Sequence, residues 1–111
     1  MATISDLYID QGTDWSAIVD FKNIDNTPRD FTGCTIAGQM RKGYGSTSYT
    51  AFTTTFVAPP TSGQVKIELS ASTSSAMKAG RYVYDVEVTS SNNKKSRIME
   101  GIVTITPEVT R

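Results

Sequence analysis

Acidic residues recur in this chain at spacings that chemistry can use. Asp10 and Asp14 bracket Gln11-Gly12-Thr13, and Asp85, Glu87 and Glu100 fall along two later segments. Paired carboxylates can serve general acid–base chemistry or form a calcium cage. Calcium loops of the familiar kind space their oxygen ligands as Asp-x-Asp-x-Asp-Gly, a pattern absent here. Asx residues bond the backbone of their own turns, so turn capping is the simpler reading of Asp10 and Asp14, with a cation site as the alternative. There is no histidine, which removes the commonest general base and the commonest metal ligand together. Cys34 is the sole cysteine. It cannot close an internal disulfide, no cation beside it favours a thiolate, and the expectation is a small buried residue in a strand. Without a base, a metal cluster or a glycine-rich phosphate loop, the chain is expected to be no enzyme and to hold no metal or cofactor.

Aromatic residues offer a different chemistry, stacking on the apolar face of a sugar. Trp15 follows a turn and opens a strand, so core or rim packing explains it more simply. Tyr44 lies in a glycine-flanked loop over residues 42–48 with little core to join, and both a partner contact and a bland surface position stay open for it. Tyr49 borders the same loop and is a second candidate contact. Small basic clusters, Arg41 with Lys42 and Lys94 with Lys95 and Arg97, read as solvated surface. The 11 basic and 11 acidic residues cancel, so neither nucleic acid nor an anionic membrane is an expected partner.

The elements that must position these groups are mostly strands. Threonine and serine make up 28 of 111 residues, and β-branched threonine suits a half-solvated sheet. Strict two-residue alternation marks Trp15 to Phe21, Cys34 to Arg41, Gln64 to Leu69, and Arg81 to Val88. In the last of these, Tyr82, Tyr84, Val86 and Val88 share one face. Asp6 to Asp10 is a weak first edge strand, Tyr49 to Val57 a threonine-rich one, and Lys95 to Ile105 the last, with Gly101 a candidate bulge. Gly38 within a strand implies a bulge or a close aromatic neighbour. Ser70 to Gly80 reads as one or two helical turns, with Ser72 as N-cap and Gly80 as the left-handed C-terminal residue. Turn signals every 8–14 residues predict an all-β, single-domain chain over 1–111: an immunoglobulin-like β-sandwich of about seven strands, with one short helical turn and an extended tail over 106–111. No membrane span or secretory signal is expected.

Gly80-Arg81-Tyr82-Val83-Tyr84 has the spacing of a tyrosine corner, with Tyr84 where such sandwiches place a cysteine. The Tyr82 hydroxyl is expected to bond back to a main-chain group across the preceding turn. Ile98 and Ile102 fall opposite Met99, Val103 and Ile105, so the last strand is expected to be apolar on both faces and to contact another subunit through Ile98 and Ile102.

Several phrases together carry a resemblance. Ile9-Asp10-Gln11-Gly12-Thr13-Asp14-Trp15, Gln39-Met40-Arg41-Lys42, Gly80 to Asp85, Glu100-Gly101-Ile102-Val103 and Pro107 to Arg111 resemble short virion structural proteins of tailed bacteriophages, those of viruses infecting marine cyanobacteria most strongly. The resemblance covers nearly the whole chain. It implies an immunoglobulin-like sandwich made in the host cytoplasm and built into the particle at the baseplate, tail or neck. Its partners would be other virion proteins and further copies of itself, and no catalytic residue is transferred. A carbohydrate-binding or adhesive module is the alternative function.

Overall fold

A computed structural model describes residues 3–109. Eight strands follow in order: β1 (Thr3–Ile4), β2 (Leu7–Asp10), β3 (Trp15–Asp20), β4 (Thr35–Arg41), β5 (Thr50–Phe56), β6 (Gln64–Leu69), β7 (Gly80–Thr89) and β8 (Lys95–Thr106). A 3-10 turn at Pro60–Ser62 precedes β6, and a short helix, α1 (Ala71–Ser75), precedes β7. The protein is all-β. The strand path runs β1-β8-β7-β4-β5-β6-β3, with β2 also pairing β8. Every pairing is antiparallel except those of β1 and β2, which run parallel to β8.

β5 turns the corner of the fold. Its first half pairs with β4, Phe52 opposite Gly38, and its second half pairs with β6, Phe56 opposite Val65. The two ladders therefore join through β5 into one mixed, nearly closed, barrel-like sheet. Alternation along the strands explains the core. Val65, Ile67 and Leu69 on β6 face Tyr84, Val86 and Val88 on β7 and Val103 and Ile105 on β8, all 4% exposed or less. Two aromatic runs fill the interior. Phe21 meets Phe31 edge-on at 6.1 Å and Phe31 stacks on Phe56 at 4.9 Å, while Trp15 packs on Phe52, which meets Tyr84 edge-on at 6.0 Å. Edge-to-face and offset arrangements of this kind satisfy the ring quadrupoles.

Several local expectations are corrected. The N-cap of α1 is Ser70, whose Oγ accepts from the Thr73 amide, and not Ser72. Gly80 does not cap the helix. It opens β7 with φ 139, because four residues, Ala76 to Ala79, intervene after the helix ends. Cys34 lies just before β4, half-buried, with its Sγ directed to the Thr32 carbonyl. Gly38 forms no bulge: it pairs regularly with Phe52 and Val86, and an added Cβ would press on methyls of Thr54 and Val86 at 3.3 Å.

The bulge in β8 is at Ile98. Val86 pairs with Met99 and Glu87 with Arg97, so Ile98 is the extra residue and the register shifts there. Both Ile98 and Met99 then point inward, 2% and 1% exposed. Alternation counted straight through this point places Ile98 outside, and the extra residue reverses that. Ile98 is therefore a core residue and not a partner contact.

Gly101 pairs regularly with Tyr84 and has another task. The chain between β1 and β2 crosses directly over it, and a Cβ there would collide with the Ser5 carbonyl. Ser5 N donates to Glu100 O at 2.9 Å and Ile102 N to Asp6 Oδ1 at 3.1 Å on either side of the glycine. Gly101→Ala is expected to lift this crossing from β8 and lower unfolding stability by about 1–3 kcal/mol, the usual cost of overpacking. Chemical denaturation measures it, and an unchanged midpoint contradicts the close approach.

Candidate functional site

The carboxylates singled out by type separate into two places. Asp10 and Asp14 belong to a polar lock between the β2–β3 turn, α1 and the end of β8. Asp10 Oδ1 accepts from Thr106 Oγ1 at 2.6 Å, and Asp14 Oδ1 accepts from the Ala71 amide at 2.7 Å, serving the first turn of α1 instead of its own turn. Between them, Gln11 Nε2 donates to the Met77 carbonyl at 2.7 Å while its Oε1 accepts from the Glu108 amide at 3.0 Å. Ser74, fully buried, accepts from Gly12 N at 3.0 Å and lies 3.1 Å from the Thr13 carbonyl. Gln11 and Ser74 are structural keystones that no spacing rule picks out, since each bonds a partner more than 60 residues away. Asp10 Oδ1, Asp14 Oδ1, Gln11 Oε1 and Ser74 Oγ each have a protein donor.

Asp85, Glu87 and Glu100 instead meet on the outer face of β4, β7 and β8. Direct pairing brings Gln39, Asp85 and Glu100 into one row across the three strands, flanked on one side by Glu87 and Arg97 and on the other by Arg41, Val83 and Ile102. Arg97 lies 3.3 Å from Asp85 Oδ2 and 3.7 Å from Glu100 Oε2. All of these except Ile102 line an open groove of about 300 Å³, to which Tyr44 adds a wall. Partial exposure makes each ion pair worth little in stability, and their effect here is to hold acceptors and donors side by side.

The loop carrying Tyr44 is anchored. Arg41 Nη1 donates to the Ser46 carbonyl at 2.6 Å, Nη2 donates to Gln39 Oε1 at 3.2 Å, and the Ser46 amide closes a turn onto Gly43 O at 3.1 Å. The Arg41 guanidinium also stands 5.1 Å from the Tyr49 ring centroid, a cation–π contact. Tyr44 is 87% exposed and Tyr49 55%. Ile102 is 40% exposed on the same face.

The tyrosines of β7 work inward from this surface. Tyr82 Oη donates to the Lys78 carbonyl at 2.7 Å, across the turn that precedes the strand, and Lys42 Nζ lies 4.6 Å from its ring centroid. Gly80 stands under Lys42, whose Nζ would be 2.9 Å from a Cβ. Tyr84 is buried, and its Oη donates to the Ser5 carbonyl. Burial first pushes its pKa up to about 12, with the Ser5 side chain working against the rise and the nearby Asp6 carboxylate adding to it.

Among the described residues no group of three or more Asp, Glu, Cys or His side chains is placed to hold a metal ion, and no helix is long and apolar enough to cross a membrane. No protein-family model matches the chain, and no curated protein does. Among solved structures the chain is similar to a family 123 glycoside hydrolase from Clostridium perfringens, with 14% identity and a TM-score of 0.44, over 97% of this chain and 24% of that one.

Tyr84 gives a pH prediction. Its pKa rises from the ordinary 10.0 to about 12 on folding, so the folded chain keeps a proton that the unfolded chain releases. Stability from this group is complete below pH 10 and is lost as pH rises from about 10 to about 12. Tyr84→Phe is expected to flatten that decline in alkaline denaturation curves, and to cost about 1–2 kcal/mol at neutral pH by orphaning the Ser5 carbonyl. Identical alkaline slopes in the two proteins contradict the assignment.

Proposed function

We propose that this chain is a non-enzymatic structural and interaction module of a tailed-bacteriophage particle, a baseplate, tail or neck component that self-associates or docks onto larger virion proteins. The observation that carries the interaction reading is an apolar patch at the β1/β2 edge of the outer face. Parallel pairing places Ile4 beside Glu100 and Tyr8 beside Thr104, so both project on the side that carries Ile102. Ile4 is 79% and Tyr8 69% exposed. Fully covering an isoleucine contributes about 2 kcal/mol, enough for three such residues to drive a concentration-dependent contact. A second copy is the simplest occupant, through Ile102, Tyr8 and Ile4.

The immunoglobulin-like reading of the fold is supported by strand order. The path β3-β6-β5 corresponds to one sheet of such a sandwich and β4-β7-β8 to the other, with the first strands parallel to the last. The virion assignment rests on the resemblance of the phrases from Ile9 to Trp15, Gly80 to Asp85 and Glu100 to Val103. The groove beside the patch favours a second reading, a carbohydrate-binding or adhesive module.

Light scattering across a concentration series is expected to show dimers or larger species, and Tyr8→Asp with Ile102→Asp to return the chain to a monomer without changing its melting temperature. Mass spectrometry of purified virions is expected to detect the chain. A strict monomer at high concentration overturns self-association, and absence from virions overturns the particle role.

A further inference from the structure

The geometry points to a binding site for a neutral sugar ring in the groove between Tyr44 and the Gln39–Asp85–Glu100 row. Three features of that groove select the ligand class. The first is the ring. Tyr44 stands on a turn flanked by Gly43 and Gly45, and an added Cβ at either glycine would meet nothing within 4 Å. No neighbour crowds the turn on either side of the exposed ring, while the bonds from Arg41 to Ser46 and from Ser46 to Gly43 hold the turn beneath it. A flat aromatic face presented on an anchored turn suits the apolar C–H face of a pyranose and loses little entropy on binding.

The second feature is the alternation of donors and acceptors. Arg97 bridges Asp85 and Glu100, so two carboxylates are oriented by one guanidinium. Gln39 Oε1 is taken by Arg41, and among the described residues nothing accepts from its amide nitrogen. Each hydroxyl of a sugar both donates and accepts, and a row running amide, carboxylate, guanidinium, carboxylate satisfies both functions of neighbouring hydroxyls. The third feature is charge. Three carboxylates, Asp85, Glu87 and Glu100, stand against two guanidiniums, Arg41 and Arg97. A sulfated or phosphorylated ligand meets the carboxylates, an amino sugar meets the guanidiniums, and an uncharged polyol meets neither penalty. The groove volume of about 300 Å³ is at the small end of ligand sites. A shallow site with one stacking ring gives weak, roughly millimolar affinity, which gains strength when several copies act together.

The site is separate from the apolar patch, so the two readings fail separately. The full chain is applied to an array of neutral, sulfated and amino-sugar oligosaccharides, and positives are titrated by chemical-shift mapping. Neutral glycans are expected to bind and to shift Gln39, Tyr44 and Asp85. Tyr44→Ala and Gln39→Ala, both surface changes with melting temperature as the folding control, are expected to weaken binding roughly tenfold or more. Tyr8→Asp, which removes part of the apolar patch, is expected to leave it unchanged. Binding confined to charged glycans, no neutral glycan bound at millimolar concentration, or binding indifferent to both groove substitutions overturns the site.

Discussion

The hydroxyl of Tyr84, buried in the middle of β7, reaches across β8 to the carbonyl of Ser5, and the order of the N-terminal strands depends on that contact. β1 and β2 are two and four residues long, so few ladder bonds hold them to β8. They follow β8 as one interrupted parallel strand, broken where Ser5 and Asp6 step over Gly101. Tyr84 pairs with Gly101 in the β7–β8 ladder, so the glycine leaves the space through which the hydroxyl and the crossing backbone meet. Asp6 then caps the Ile102 amide from the outside. A carbonyl turned inward and a carboxylate turned outward thus fasten one dipeptide to both faces of β8.

That fastening shapes the surface on which function is proposed. Ile4 and Tyr8 are exposed beside Ile102 because β1 and β2 hold the register set on either side of the crossing. The groove lies one strand further in, where regular pairing of β4, β7 and β8 aligns Gln39, Asp85 and Glu100. An apolar patch and a polar groove on one sheet face are suited to different occupants, a protein surface and an uncharged polyol.

Much of this was legible from residue order, and the failures have physical causes. The alternation in β3, β6 and β7 placed their core residues correctly because those strands are regular. Tyr44 stood out as an exposed loop aromatic because glycines flank it. Ile98 was misplaced because a bulge adds one residue without any signature at the site itself, and all alternation counted past it reverses. Gly101 was legible as special, yet its cause is a strand arriving from the other end of the chain. Ser72 and Gly80 fitted capping rules that the chain satisfies differently, with Ser70 as the cap and residues 76–79 separating helix from strand. The roles of Gln11 and Ser74 were invisible for the same reason as the groove itself: each is assembled from segments far apart in sequence, and spacing rules describe only neighbours.

Amide hydrogen exchange, residue by residue, tests the dependence on Tyr84 most directly. In the wild-type chain the amides of Ser5 and of β2 should exchange slowly, on the timescale of β8. In Tyr84→Phe they should exchange much faster, while Val65, Ile67 and Leu69 of β6 keep their protection, because the loss is local to the N-terminal strands. Equal protection of Ser5 and β2 in both proteins would show that the parallel strands are held by something other than this hydroxyl, and would contradict the account.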